Sequence, residues 1–142
     1  FFVEDWILAN PEMVSLKRFN GDTSYIRISD RAKFYSYHKM SYQGENPQTE
    51  LHFLPLTKSV DLFDKNWDGE ALILGFGLVG RLNWLWVTHT GFLILEPGKR
   101  PTMRHASLKE DKVVDMDFSK YLRSRKKFLE GVMFFEFNEL EK

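Results

Sequence analysis

Apolar and polar positions divide this chain into a helix-first half and a strand-rich half. Phe2, Val3, Trp6, Ile7 and Leu8 crowd one side of a helical projection and predict a helix over residues 2–10. Asn10-Pro11 ends it, because the residue before a proline avoids the α region. Residues 11–19 fit a second short helix. Asn20-Gly21-Asp22 is a turn signal, and Tyr25-Ile26-Arg27-Ile28 alternates as a short strand. Residues 30–42 are aromatic and basic and read as irregular or helical. Residues 43–49, with Gly44 and Pro47, read as a polar loop.

The second half changes period. Ala71-Leu72-Ile73-Leu74-Gly75-Phe76 predicts a buried strand introduced by Asn66, Asp68 and Gly69, and Gly75, Gly77 and Gly80 punctuate its end. Two runs, around His89 and His105, flank the turn-forming Glu96-Pro97-Gly98-Lys99-Arg100-Pro101 and predict a β-hairpin. Val113-Val114 begins a short strand. Residues 117–127 predict a helix capped by Asp117 or Ser119, and residues 132–137 a closing strand. Helices first and short, closely linked strands afterwards imply an α+β domain, with N-terminal helices packed on a mostly antiparallel sheet, and not a doubly wound fold.

The hairpin carries the chemistry. His89 and His105 are symmetric about Pro97, so pairing the flanking runs makes the two imidazoles cross-strand neighbours. A neutral imidazole, with a pKa near ~6.5, can take a proton from a nucleophile. A second group on its other ring nitrogen fixes its tautomer, as in triad-type sites. Spacing alone favours two structural histidines over a catalytic pair. A zinc site would need three or four ligands. The remaining histidines, His38 and His52, do not stand at ligand-like spacing, so no metal is expected.

Other motifs carry less. Gly75-x-Gly77-x-x-Gly80 matches the dinucleotide fingerprint superficially, but it leads into the His89 strand instead of a helix. Glu96, near the distance of an acidic ribose ligand, opens a Pro-Gly turn. The motif reads as a flexible glycine loop between strands, and no cofactor is expected. Trp84 and Trp86 are candidates for a substrate groove, or for the core. Arg123-Ser124-Arg125-Lys126-Lys127 reads as a solvated helix end favoured by the C-terminal dipole.

Composition narrows the classes. A chain of 142 residues, 43% hydrophobic with 13 Phe, fits a single ring-rich domain over residues 1–142. Its 20 basic and 20 acidic residues cancel, which argues against electrostatic binding to nucleic acid or anionic membrane. No uncharged apolar run is long enough to span a bilayer. With no cysteine, disulfides, thiolate metal ligands and a cysteine nucleophile are excluded within these residues. The chain lacks an initiator methionine and opens inside an apolar run, so it reads as a fragment whose upstream part is absent.

Thr88-His89-Thr90-Gly91-Phe92-Leu93-Ile94, followed by Arg104-His105-Ala106-Ser107, resembles the H-x-G and H-A-S pattern of NlpC/P60-type cell-wall peptidases. Phe2-Val3-Glu4 and the apolar run after it resemble the C-x-x-F-V-E helix start of one branch, the N-acetylmuramoyl-L-alanine amidase-like proteins long described as DUF1460. More loosely, the segment from Phe19-Asn20-Gly21-Asp22 to Arg31 resembles that branch's middle segment. Val113-Val114, Phe118-Ser119-Lys120-Tyr121-Leu122 and Gly131-Val132 resemble its closing elements.

The resemblance implies a papain-like α+β fold and cysteine amidase chemistry on peptidoglycan fragments (muropeptides), in the periplasm or cell envelope. Carried over by position, His89 is the general base and His105 orients it. Arg31, Trp84 and Trp86 are candidate substrate contacts. The cysteine is expected two residues upstream of Phe1, where a helix N-terminus lowers a thiol's pKa. Gly69-Glu70 stands where the family has Gly-Asp, and residues 75–86 are the chain's own. Two alternatives stand beside this reading: a peptidoglycan-binding domain on the same fold without the thiol, and an unrelated α+β domain with structural histidines.

Overall fold

The computed structural model of this chain describes residues 2–82 and 85–139. Phe2–Ile7 wind as one π-helical stretch. Then follow β1 (Val14–Lys17), β2 (Thr23–Ile28), α1 (Arg31–Tyr37), β3 (Gln48–Pro55) and α2 (Leu56–Phe63). The second half holds β4 (Leu72–Gly80), β5 (Val87–Leu95), β6 (Thr102–Ser107), β7 (Lys112–Asp117), α3 (Phe118–Ser124) and β8 (Leu129–Phe137). The strands form one sheet in the order β2-β3-β8-β4-β5-β6-β7, and its pairings are antiparallel. β1 joins β8 over Val14↔Phe137 to Lys17↔Phe134. The mixed α+β class with a mostly antiparallel sheet therefore holds. No helix among the described residues is long and apolar enough to cross a membrane.

β4 and β8 form the spine, and both faces of each are buried, so they read as apolar runs without alternation. One face carries the main core. Leu74, Phe76 and Leu78 of β4 meet Phe63 of α2, Phe118 and Leu122 of α3, and Phe134 of β8. The opposite face carries a smaller cluster of Leu51, Phe53, Val79, Trp86, Met133 and Phe135, against which Ile7 and Leu16 pack. Burying α3 uses a local design. Asp117 accepts from the Lys120 N–H at 2.9 Å as N-cap, and Phe118 and Leu122, one turn apart, enter the core.

Several sequence expectations are corrected. The second helix over residues 11–19 is instead β1, because the free edge of β8 offers Val14–Lys17 a ladder and Lys17 an ion pair with Glu136 at 2.6 Å. A run this short carries no decisive period, and the tertiary partner settles it. The first helix ends at Ile7, not at residue 10; the Asn10 side chain donates to the Trp6 carbonyl at 2.7 Å and closes the turn. Gly75, Gly77 and Gly80 lie within β4, not in a loop. A Cβ on Gly75 would stand 3.3 Å from Phe137 Cζ, and one on Gly77 3.1 Å from Val87 Cγ1, so the missing side chains make room for neighbouring strands. β3 and α2 answer to no predicted element; the polar loop reaches only Pro47 before β3 begins.

Candidate active site

The β5–β6 hairpin turns on Glu96-Pro97-Gly98-Lys99. The Lys99 N–H donates to the Glu96 carbonyl at 3.0 Å, and Gly98 has φ of +77°. Proline before a positive-φ glycine is the type II arrangement. The ladder pairs Phe92 with Arg104, Leu93 with Met103 and Ile94 with Thr102. That register centres the hairpin on Gly98 and not on Pro97, so His89 and His105 are offset along the strands instead of directly opposite. On its other side β5 pairs His89 with Leu78, next to a register shift at Leu78/Val79. Bulges of this kind re-aim side chains beside functional sites.

The two imidazoles nonetheless meet. His89 Nε2 lies 2.8 Å from His105 Nδ1, with the rings 4.9 Å apart and nearly perpendicular at 84°. His105 is buried, at 6% exposure, while His89 is half-buried and reaches a cleft. His105 Nε2 stands 3.4 Å from Met116 Sδ on β7. Tyr121 of α3 covers both rings, 6.2 Å from His89 and 5.4 Å from His105 between centroids.

These contacts fix the protons. A thioether has no proton to give, so His105 Nε2 is the donor toward Met116, and neutral His105 keeps a lone pair on Nδ1. His89 Nε2–H donates to that lone pair. The second lone pair of the couple therefore sits on His89 Nδ1, which has no hydrogen-bond partner among the described residues. Burial first, and then the electrostatic influence of the neighbouring His105 and Arg125, hold His89 below the ordinary histidine value. At neutral pH it is an unprotonated base, held in one tautomer and aimed by its neighbour.

The cleft that His89 enters has a volume of about 220 Å³ and is lined also by Leu78, Thr88, Tyr121, Arg125, Phe128 and Leu129. The other proposed site residues fall elsewhere. Trp86 is 2% exposed and packs with Val79, Met133 and Phe135 in the core. Trp84 lies outside the described residues. Arg31 begins α1 and pairs with Asp5, tying α1 to the N-terminal helical stretch; it does not line the histidine cleft. Burial opposes ionisation of Asp5, but Arg31 outweighs it and holds the carboxyl below the usual carboxylate range. Met116 and Arg125 join the site without having been singled out for it. Among the described residues no three metal-binding side chains converge.

The α+β domain thus presents a hydrogen-bonded imidazole pair at an open cleft, an arrangement chemically able to take and give a proton. A sequence model of the N-acetylmuramoyl-L-alanine amidase-like family matches residues 1–132, and the chain belongs to that family. Its fold is similar to that of a Bacteroides uniformis N-acetylmuramoyl-L-alanine amidase, with a TM-score of 0.70 and 17% identity over 96% of this chain and 64% of that one. It is likewise similar to a Legionella pneumophila protein of family DUF1460, with a TM-score of 0.69 and 15% identity over 97% of this chain and 61% of that one. At such identities the likeness is one of fold. The chain spans about three fifths of the length of these structures, 61% and 64%. No curated protein matches it.

Proposed function

We propose that this chain is the base-bearing part of a cell-wall amidase of NlpC/P60 type, on a papain-like fold, acting in the periplasm or cell envelope. It hydrolyses the amide between a muramoyl lactyl group and L-alanine in peptidoglycan fragments. The observation that carries this is the 2.8 Å contact between His89 Nε2 and His105 Nδ1, which leaves His89 Nδ1 as the accepting atom.

The residues perform the reaction as follows. His89 Nδ1 takes the proton of a cysteine thiol supplied from upstream of Phe1, while the bond from its other ring nitrogen to His105 holds the imidazole in place. The thiolate adds to the lactyl carbonyl carbon. Collapse breaks the C–N bond as His89 Nδ1–H protonates the leaving L-alanyl amine. Water then attacks the thioester, with His89 again as base, and releases the lactyl carboxylate and the thiol. Tyr121, packed over both rings, keeps water from the His89–His105 bond.

The test is the full-length parent protein incubated with muropeptides, wild type against His89→Ala, with release of free L-alanyl peptide as the readout. Removing one member of such a couple is expected to cost on the order of 10²–10⁴-fold in turnover. Unchanged turnover in His89→Ala overturns the assignment. A residue that is not a nucleophile at the position two before Phe1 overturns the amidase and leaves a peptidoglycan-binding domain.

A further inference from the structure

The basic run at the end of α3 divides in the fold. Arg123 turns to Asp64, with which it forms an ion pair, and so stays with the α2–α3 contact. Arg125, the C-cap residue, turns the other way: its guanidinium carbon lies 5.6 Å from the Tyr121 ring centroid and it lines the His89 cleft. Arg27, Arg31, Arg100, Arg104 and Arg123 each hold a carboxylate. Arg125 has none among the described residues.

The turn that follows fixes its position. The Phe128 N–H donates to the Arg125 carbonyl at 2.9 Å, and the Arg81 N–H donates to the Phe128 carbonyl at 3.0 Å. Phe128, 64% exposed, lines the same cleft. One side of the cleft thus offers a planar cation resting on an aromatic face, beside an exposed ring, next to the accepting imidazole. A fixed positive charge next to a base that must become imidazolium opposes that protonation. An anion bound to the guanidinium removes the opposition.

We propose that Arg125 reads a free carboxylate on the ligand: the cleft takes an acyl-peptide with an acidic stem, its carboxylate on the Arg125 guanidinium and an apolar part against Phe128. This rests on the amidase-family reading for the nature of the stem, and it adds the residue that selects the charged form.

Calorimetric titration of this chain with two ligands tests it: a muramoyl dipeptide with its stem carboxylate free, and the same dipeptide with that carboxylate amidated. The free acid should bind about fivefold more tightly, the scale of a partly exposed charge-assisted contact. Arg125→Ala should abolish the preference. Arg125→Lys should keep part of it, because the charge remains while the bidentate fork is lost. Arg123→Ala, on the far side of α3, should keep it whole. Equal affinity for acid and amide in the wild type, no binding of either, or a preference that survives Arg125→Ala overturns the assignment. Cleavage by the parent protein judges the amidase reading separately, since the acid-to-amide ratio needs no turnover.

Discussion

His89 and His105 are hydrogen-bonded at 2.8 Å although they do not sit opposite each other on their hairpin. Diagonal neighbours on antiparallel strands stand roughly 7–8 Å apart at the backbone, a gap two imidazoles can bridge. The diagonal also sets the proton order, because it turns His105 Nε2 toward Met116 Sδ at 3.4 Å. We expect ¹⁵N NMR of the neutral protein to find His89 protonated on Nε2 and His105 on Nε2. Met116→Leu keeps the apolar volume but removes the sulfur acceptor. It should populate the other His105 tautomer and, with it, the other His89 tautomer. Wild-type His89 carrying its proton on Nδ1 would contradict the assignment.

The His89 charge should follow a definite pH course. Burial is the first cause of its lowered value, with His105 and Arg125 adding to it. The native ring therefore binds its proton less readily than the unfolded ring, whose pKa is near ~6.5. Stability associated with His89 is full above that value and is lost as pH falls through the window between it and the lower native value. An NMR titration should give a midpoint below about 6.5. Tyr121→Ala, which opens the site to water, should raise the midpoint further than Arg125→Ala, because burial outranks the charges. A wild-type midpoint at or above the free-histidine value would sink this account.

The sequence made the strand-rich half legible because its elements carry local signals. Pro97-Gly98 specifies a turn, and Asp117 caps α3. The histidine couple was legible in identity but not in geometry. Symmetry about Pro97 suggested residues directly opposite, whereas a positive-φ Gly98 moved the centre of the ladder by one residue. β1 was not legible, since its four residues become a strand only through β8. The three glycines of β4 misled because their role is to admit side chains of neighbouring strands. α2 did carry a signal, in Leu56, Val60 and Phe63 at helical spacing, and Met116 and Arg125 became site residues only once β7 and α3 were folded against the hairpin.

Gly91 should be intolerant of a side chain. A Cβ there would lie 2.6 Å from the Arg104 carbonyl oxygen and 2.9 Å from the Phe76 ring, one a backbone atom and the other a buried core residue. Neither can withdraw without moving β6 or the core. Gly91→Ala should therefore cost about 1–3 kcal/mol in denaturant unfolding, the usual range for overpacking. It should also disturb the His89–His105 contact, since Gly91 sits between Phe92 and the histidine end of the hairpin. Gly98→Ala meets nothing within 4 Å and is strained only by its φ of +77°, so its cost should be smaller. Equal stability of wild type and Gly91→Ala would show that β5 and β6 do not approach as described.

Asp64 joins the end of α2 to α3, and its loss should depend on pH. Its carboxylate accepts from Arg123 and from Arg100 at 2.7 Å, and from the Ser119 hydroxyl at 2.9 Å. Arg123 first, and Arg100 and Ser119 after it, hold the carboxyl well below the usual carboxylate range. A lowered native value means that its contribution is complete above the unfolded value of 3.8 and is lost as pH falls below that toward the native value. In thermal unfolding followed by circular dichroism, Asp64→Asn should melt below the wild type at neutral pH. The gap should narrow as the medium is acidified below about pH 4. Added salt should narrow it too, because the two arginines are open to solvent. A gap constant in both acid and salt would assign the role of Asp64 to shape instead of charge.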